Sequence, residues 1–410
     1  MMSSRYYRCS SRRNSCLALL IGITLSFAAL AGNFEARGEE SSSIRDLIQH
    51  ATAAREKGDS AHAIELYRKA TAQKPDWQEG WWYLGSLLYD GGRFSAAAQV
   101  LHRLTVLNPN LGGAWGLLGL SEFESTRYDE ALKDLQLATS LGAGDDQTLE
   151  DVVDYHLALL LNVRGESEAA NVLLYSLLLR GHHSEDLQVA LGLALLRVPL
   201  LPSQLDPSKD AILHDAGSLA AVIAHRQYEA ADAGFNGLLT KYPGTAFVHY
   251  AWGAMLAKEG KDAAAEAQFE EETKLNPDSS LAYSEWAYLA FKSSHYDQAI
   301  SLARKAIGLS ANSFTAHYVL GSALLATGKT EASVGELEQA RKLVPESPEI
   351  RYGLSRAYAK LGQKELAKQE AAEFERLKSK RTRRTENGHQ SPADAQTGTH
   401  ATNQESSPQQ

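Results

Sequence analysis

One spacing, 34 residues, runs through this chain and limits its fold more than any other feature. Trp81, Gly85 and Ala97 return as Trp115, Gly119 and Ala131. Farther on, Pro243, Pro277, Ala311 and Pro345 keep the same step, as do Ala231, Ala265, Ala299, Ser333 and Ala367. Within a period, Trp, Leu, Gly and Leu recur three and four apart, which places them on one buried helical face. Each period predicts two helices and a turn. Such units bury their apolar faces on their neighbours and grow by stacking.

The places within a unit have physical roles. The large residue at the fourth place (Trp81, Trp115) is expected to fill the space between two helices. Glycine at the eighth and alanine at the twentieth let the paired helices approach. Proline near the end of a unit stops the second helix. Ser95 and Asp129 sit where a second helix would be N-capped. Gly260, Gly328 and Gly362 mark the turns inside the units, with Ser294 in the vacant slot.

On these residues, above all W-x2-L-G at 81–85 and Trp115–Gly119, residues 44–381 resemble an array of tetratricopeptide repeats. The resemblance implies an all-α fold, a right-handed α-solenoid or superhelix of about nine helix-turn-helix units, that binds proteins or peptides. Two known uses of the family do not carry over. Its carboxylate clamp needs lysine and asparagine at set places of the first helices, whereas the fifth places here include Trp82, Tyr155, Tyr250, Tyr318 and Tyr352. The sixth places (Gln49, Tyr83, Leu117, His156, Ala251, Glu285, Val319, Gly353) hold no asparagine ladder.

In order, residues 1–31 read as a signal peptide. A basic start precedes the apolar run 17–31, and Ala29-Leu30-Ala31 offers a cleavage site. That run is short for a membrane span, although an uncleaved anchor is the rival reading. Ser11-Arg12-Arg13 is only a weak twin-arginine match. Residues 32–43 form a linker, 44–184 a first array of four units, and 212–381 a second of five. Between them, 185–211 holds an unpaired helix near 186–197 and a proline-rich break at 198–207. There Asp206-Pro207 starts a helix over roughly 207–225. Residues 382–410 are read as a disordered tail.

The formal net charge is −9, and it would be near −13 without the first 31 residues, whose four arginines meet no acid. That balance argues against nucleic-acid binding, which needs a basic face. Both cysteines, Cys9 and Cys16, lie in the leader, so the remainder can form no disulfide or thiolate metal site. No phosphate-binding loop, H-E-x-x-H, G-x-S-x-G or CxxC occurs. The chain is read as no enzyme and as using no cofactor or metal. His182-His183 lacks a third ligand at metal spacing. Glu270-Glu271-Glu272 reads as solvated surface on a second helix.

The candidate partner-binding residues lie at groove-facing places of the first helices: Trp82, Tyr89, Phe123, Tyr155, Phe247, Tyr250, Tyr288, Phe291, Tyr318 and Tyr352. They suggest a lightly charged groove for an extended or helical apolar segment. Packing against the adjacent repeat is the competing role. The proline break reads as a docking loop, a hinge or a relic of repeat loss. The basic run 378–384 reads as a solvated helix end or a contact for a membrane surface. Together these features predict a non-enzymatic protein-interaction scaffold, exported to the periplasm or cell envelope. A polysaccharide export or assembly factor with a glycan-contacting groove is the alternative.

Overall fold

A computed structural model describes residues 42–142 and 147–386. Residues 1–41, where the signal peptide and most of the linker are expected, and residues 387–410, where most of the tail is expected, lie outside the described residues. Within them the chain is all helical, with nineteen α-helices and no strand.

Helices come as the period requires. The pairs are α1 (Ser42–Glu56) with α2 (Ser60–Gln73), α3 (Gln78–Asp90) with α4 (Phe94–Leu107), α5 (Gly112–Glu124) with α6 (Tyr128–Leu141), and α7 (Gln147–Val163) with α8 (Ser167–Leu179). α9 (Glu185–Leu195) is followed by no second helix of its own. The pairs then resume as α10 (Asp210–Ala224) with α11 (Tyr228–Lys241), α12 (Val248–Lys258) with α13 (Asp262–Leu275), and α14 (Ser280–Lys292) with α15 (Tyr296–Leu309). The last two are α16 (Phe314–Ala326) with α17 (Thr330–Leu343), and α18 (Pro348–Lys360) with α19 (Lys364–Glu386). The chain falls into two compact units. One comprises the residues up to Ala190 with Val198–Ser208, the other Leu191–Arg197 with the residues from Lys209 on.

Each pair closes by the same device. The last turn of the first helix ends in a left-handed residue, and the next amide bonds back five residues to a helix carbonyl. Arg127 N donates to Glu122 O at 2.9 Å and Lys329 N to Leu324 O at 2.8 Å. This is the Schellman arrangement, which satisfies carbonyls left over at the helix end. The left-handed slot is held by Gly58, Gly92, Gly165, Gly260, Gly328 and Gly362, but also by Thr126 (φ +60), Arg226 (φ +57) and Ser294 (φ +62). The turn imposes the conformation whatever the residue. A β-branched side chain there is strained. Thr126→Gly is therefore expected to stabilise the first unit by about 0.5–1 kcal/mol, read as a higher denaturation midpoint.

Close packing follows the eighth and twentieth places. A Cβ on Gly119 would stand 2.8 Å from Leu135 Cγ, and one on Gly321 would stand 2.7 Å from Leu337 Cγ. Ala97 and Ala131 are fully buried. The fourth place is different from the expectation. Trp81 and Trp115 are only half-buried, and each indole N–H reaches back to the turn before its own helix, to Pro75 O at 2.9 Å and Pro109 O at 2.8 Å. Other residue types make the same stitch: His317 bonds Ala311 O at 3.1 Å, and Arg351 donates to Pro345 O at 3.1 Å. A polar tip on a large side chain is what the place selects.

Several local expectations are corrected. Ser95 and Asp129 cap nothing. α4 starts at Phe94 and α6 at Tyr128, each ahead of the expected cap, with no side-chain cap bond. The physical reason is the turn, whose left-handed residue and back-bonded amide set the start of every second helix at the same place, Ser60, Asp262 and Thr330 as much as Phe94 and Tyr128. In these two pairs the turn is also packed by rings, Phe94 edge-on against Tyr89 at 5.3 Å and Tyr128 against Phe123 at 5.4 Å. Glu270 and Glu271 are exposed, but Glu272 is completely buried and bonded to the backbone. A contact the sequence did not signal is that of His182 with Asp151, which also meets Arg180 Nη2 at 3.0 Å, while Asp154 meets the same nitrogen at 2.9 Å. Burial raises the pKa of Asp154 against the pull of Arg180. No group of three metal-ligating side chains occurs among the described residues.

In the proline segment, Asn162 Nδ2 donates to Val198 O at 2.7 Å and Leu201 is buried, so its first half is held down. Asp206 Oδ1 accepts from Ser208 N at 2.9 Å, and a 3-10 turn, Pro207–Lys209, precedes α10. At the other end, α19 runs past residue 381 to Glu386. Two charges of the basic run are used internally: Lys380 Nζ lies 2.7 Å from Glu346 and Arg381 Nη1 2.7 Å from Glu349. No described helix is long and apolar enough to cross a membrane.

Candidate partner-binding groove

Within each unit the first helices of successive pairs touch: α3 with α5 and α5 with α7 in the first, α14 with α16 and α16 with α18 in the second. The contact arises because each second helix packs on its own first helix and on the next one. Side chains at equal places of the first helices therefore fall in a row.

The ten sequence-derived residues meet different fates in that row. Trp82, Tyr155 and Tyr250 are buried, each at most 7 % exposed, and offer little surface to a partner. Tyr89, Phe123 and Phe291 are half-buried and close the turns of their pairs against Phe94, Tyr128 and Tyr296. Phe247 takes the residue before α12, with φ +67, and its ring stands edge-on to Tyr250 at 6.2 Å. Tyr288 and Tyr318 are half-buried over the apolar core between α14, α15 and α16. Tyr352 is half exposed, at 50 %, with Phe374 at 5.4 Å and the Arg356 guanidinium 5.6 Å over its ring.

Burial sets the electrostatics. It raises the Tyr288 hydroxyl above its usual range and pushes Tyr318 up to about 12, so both stay protonated at neutral pH. Charges near this face are engaged elsewhere. Lys292 Nζ meets Asp262 at 2.7 Å, and Lys360 Nζ donates to Leu325 O at 3.1 Å. The chemistry available is ring faces, neutral hydroxyls and a stacked guanidinium. That suits apolar and hydrogen-bonding contact more than ion pairing.

Sequence reading missed several neighbours of the candidates. His156 stands between Phe123 at 4.7 Å and Tyr155 at 5.3 Å, and its Nδ1 lies 2.8 Å from Val152 O. Burial lowers its pKa, which keeps the ring neutral near pH 7. Asp90 and Glu124 end α3 and α5 at equal places. Burial raises both carboxyls, Asp90 to about 6. The sixth place and the shared acidic helix end were the only signals for these residues.

The class these observations define is a helical-repeat protein whose unit is a 34-residue helix pair. A tetratricopeptide-repeat family model matches residues 48–111, 92–146, 284–340 and 318–380. The chain is a tetratricopeptide-repeat protein, one of a family whose members bind protein partners. Solved structures with similar parts include a crystal structure of MamA, 17% identical, covering 40% of this chain and 96% of that one at a TM-score of 0.37. MamA from Desulfovibrio magneticus RS-1 is 17% identical, covering 40% and 94%, at 0.38. The P58(IPK) TPR domain is 14% identical, covering 78% and 99%, at 0.28. Likenesses this distant carry no functional argument. No curated protein matches the sequence.

Proposed function

We infer that the chain is an exported, non-catalytic scaffold, which holds a protein segment against the first-helix face of its second unit. The observation that carries the binding site is Tyr352. Alone among the ten aromatics it is half exposed, and the Arg356 guanidinium over its ring adds a polar contact. Exposed aromatic and arginine side chains are the residues that most often anchor interfaces. The leader-like residues 1–31 support a periplasmic or envelope location, with cleavage near Ala31.

Tyr352→Ala tests the site. Stability is expected to stay within about 0.5 kcal/mol of the parent, because the side chain is at the surface. A photocrosslinker placed at 352 in cells should trap a protein partner, and one at the exposed position 106 on α4 should not. Equal trapping at both positions, or retention of glycans in place of proteins, overturns the reading. N-terminal sequencing tests the location: residues 1–31 still present on cytoplasmic protein would sink it.

A further inference from the structure

The α5–α6 pair contains an arrangement that its sister pairs lack. Glu122 on α5 occupies the eleventh place, where other units carry Leu88, Leu256 and Leu324. It is 7 % exposed, and its Oε2 finds no donor among the described residues. Its Oε1 lies 3.5 Å from Arg127 Nη2, in the turn that follows. The carboxyl of Asp134 on α6 stands within hydrogen-bonding reach of it. Two carboxyls can share a hydrogen bond only when one of them holds the proton. The same turn carries Thr126, a β-branched residue at φ +60. The pair is thus closed by one shared proton and one ion pair, against the strain of its turn.

We propose that Glu122 and Asp134 form a proton-held latch, which keeps the α5–α6 pair closed while protonated and loosens it when the proton leaves for solvent. Loosening frees Phe123, which Tyr128 otherwise pins across the same turn. Other charges act on the latch from the elements packed on α5. They are His102 of α4, Arg127 of the turn, and Glu130 and Lys133 of α6. On α7, Asp151 and Asp154 are turned to Arg180, and α3 carries Glu79 and Asp90 at its two ends.

The sign is fixed by linkage. Glu122 is raised from 4.5 to about 7, mainly by burial and then by Asp134. A raised acid favours the closed form while it holds its proton. That advantage fades as pH climbs from the open-state value through about 7. Native-state hydrogen exchange on the full chain, corrected for the intrinsic pH dependence of exchange, reads the effect. The opening constant of α5–α6 should rise about 30-fold between pH 5.5 and 8.5, while α14–α15 stays level. Glu122→Gln keeps the hydrogen bond without the titration and should flatten the rise below about 3-fold. Glu122→Leu, the sister-pair residue, should flatten it likewise. Thr126→Gly should lower opening equally at both pH values and leave the ratio intact. A wild-type pair whose opening ignores pH, or a Glu122→Gln chain that keeps the dependence, overturns the latch.

Discussion

Glu272→Ala is expected to cost the second unit about 3 kcal/mol, because it orphans two buried amides at once. Glu272 is fully buried on α13, yet it serves the helix before its own. Its Oε1 accepts from Phe247 N at 2.8 Å and from Asn276 Nδ2 at 3.4 Å, and its Oε2 accepts from Tyr250 N at 3.2 Å. The first turn of α12 has no side-chain cap of its own, and Phe247 before it is left-handed. A carboxylate at a helix N-terminus also meets the positive end of the helix dipole. The loss should appear as a lower denaturation midpoint, with hydrogen-exchange protection falling first in α12 and α13. Repeat arrays need not unfold in one step, so the local readout is the decisive one. Unchanged protection of α12 would show that this cap does not hold the helix.

Gly192→Ala should cost a similar amount, about 3 kcal/mol, at the end of the unpaired helix. A Cβ on Gly192 would press on the Leu213 carbonyl oxygen, standing 2.8 Å from its carbon and 3.0 Å from Leu213 Cα. The obstacle is backbone, so no rotamer change relieves it and α9 must draw away from α10. This cost exceeds the roughly 1 kcal/mol that glycine-to-alanine replacement in a helix would otherwise return. Ordinary thermal unfolding measures it. A melting temperature equal to or above the parent's would mean that α9 and α10 tolerate separation.

Much of the fold was legible because its cause is local and repeated. A helix pair writes its pattern at three- and four-residue spacing, and stacking writes it again every 34 residues. Correlated positions such as Gly119 with Ala131 therefore reported the pairing of α5 and α6. Ser294 could be placed in a turn slot although it is not glycine, because the period had already located the slot. The capping residues were misplaced for the opposite reason. Ser95 and Asp129 look like caps in isolation, but the back-bonded turn starts the helices one residue sooner, at Phe94 and Tyr128.

The candidate groove was less legible. A tyrosine at the fifth place reads identically whether its ring is covered, as in Tyr155 and Tyr250, or open, as in Tyr352. Exposure depends on what the neighbouring helices bring, and no local pattern encodes that. The same blindness made Glu270, Glu271 and Glu272 look alike.

The sequence by itself determined the repeat, the helix pairs and the turn positions, because burying one helical face fixes a period that the chain must write out. Only the tertiary structure decided which polar groups became structural. It buried Glu272 as a cap for a helix 22 residues back from it to Tyr250, tied Trp81 to Pro75, and set Glu122 beside Asp134. Each of these depends on how the packed helices and turns place the groups in space, which residue type and spacing alone do not encode. Desolvation, which decides their energetics, exists only once the neighbours are in place.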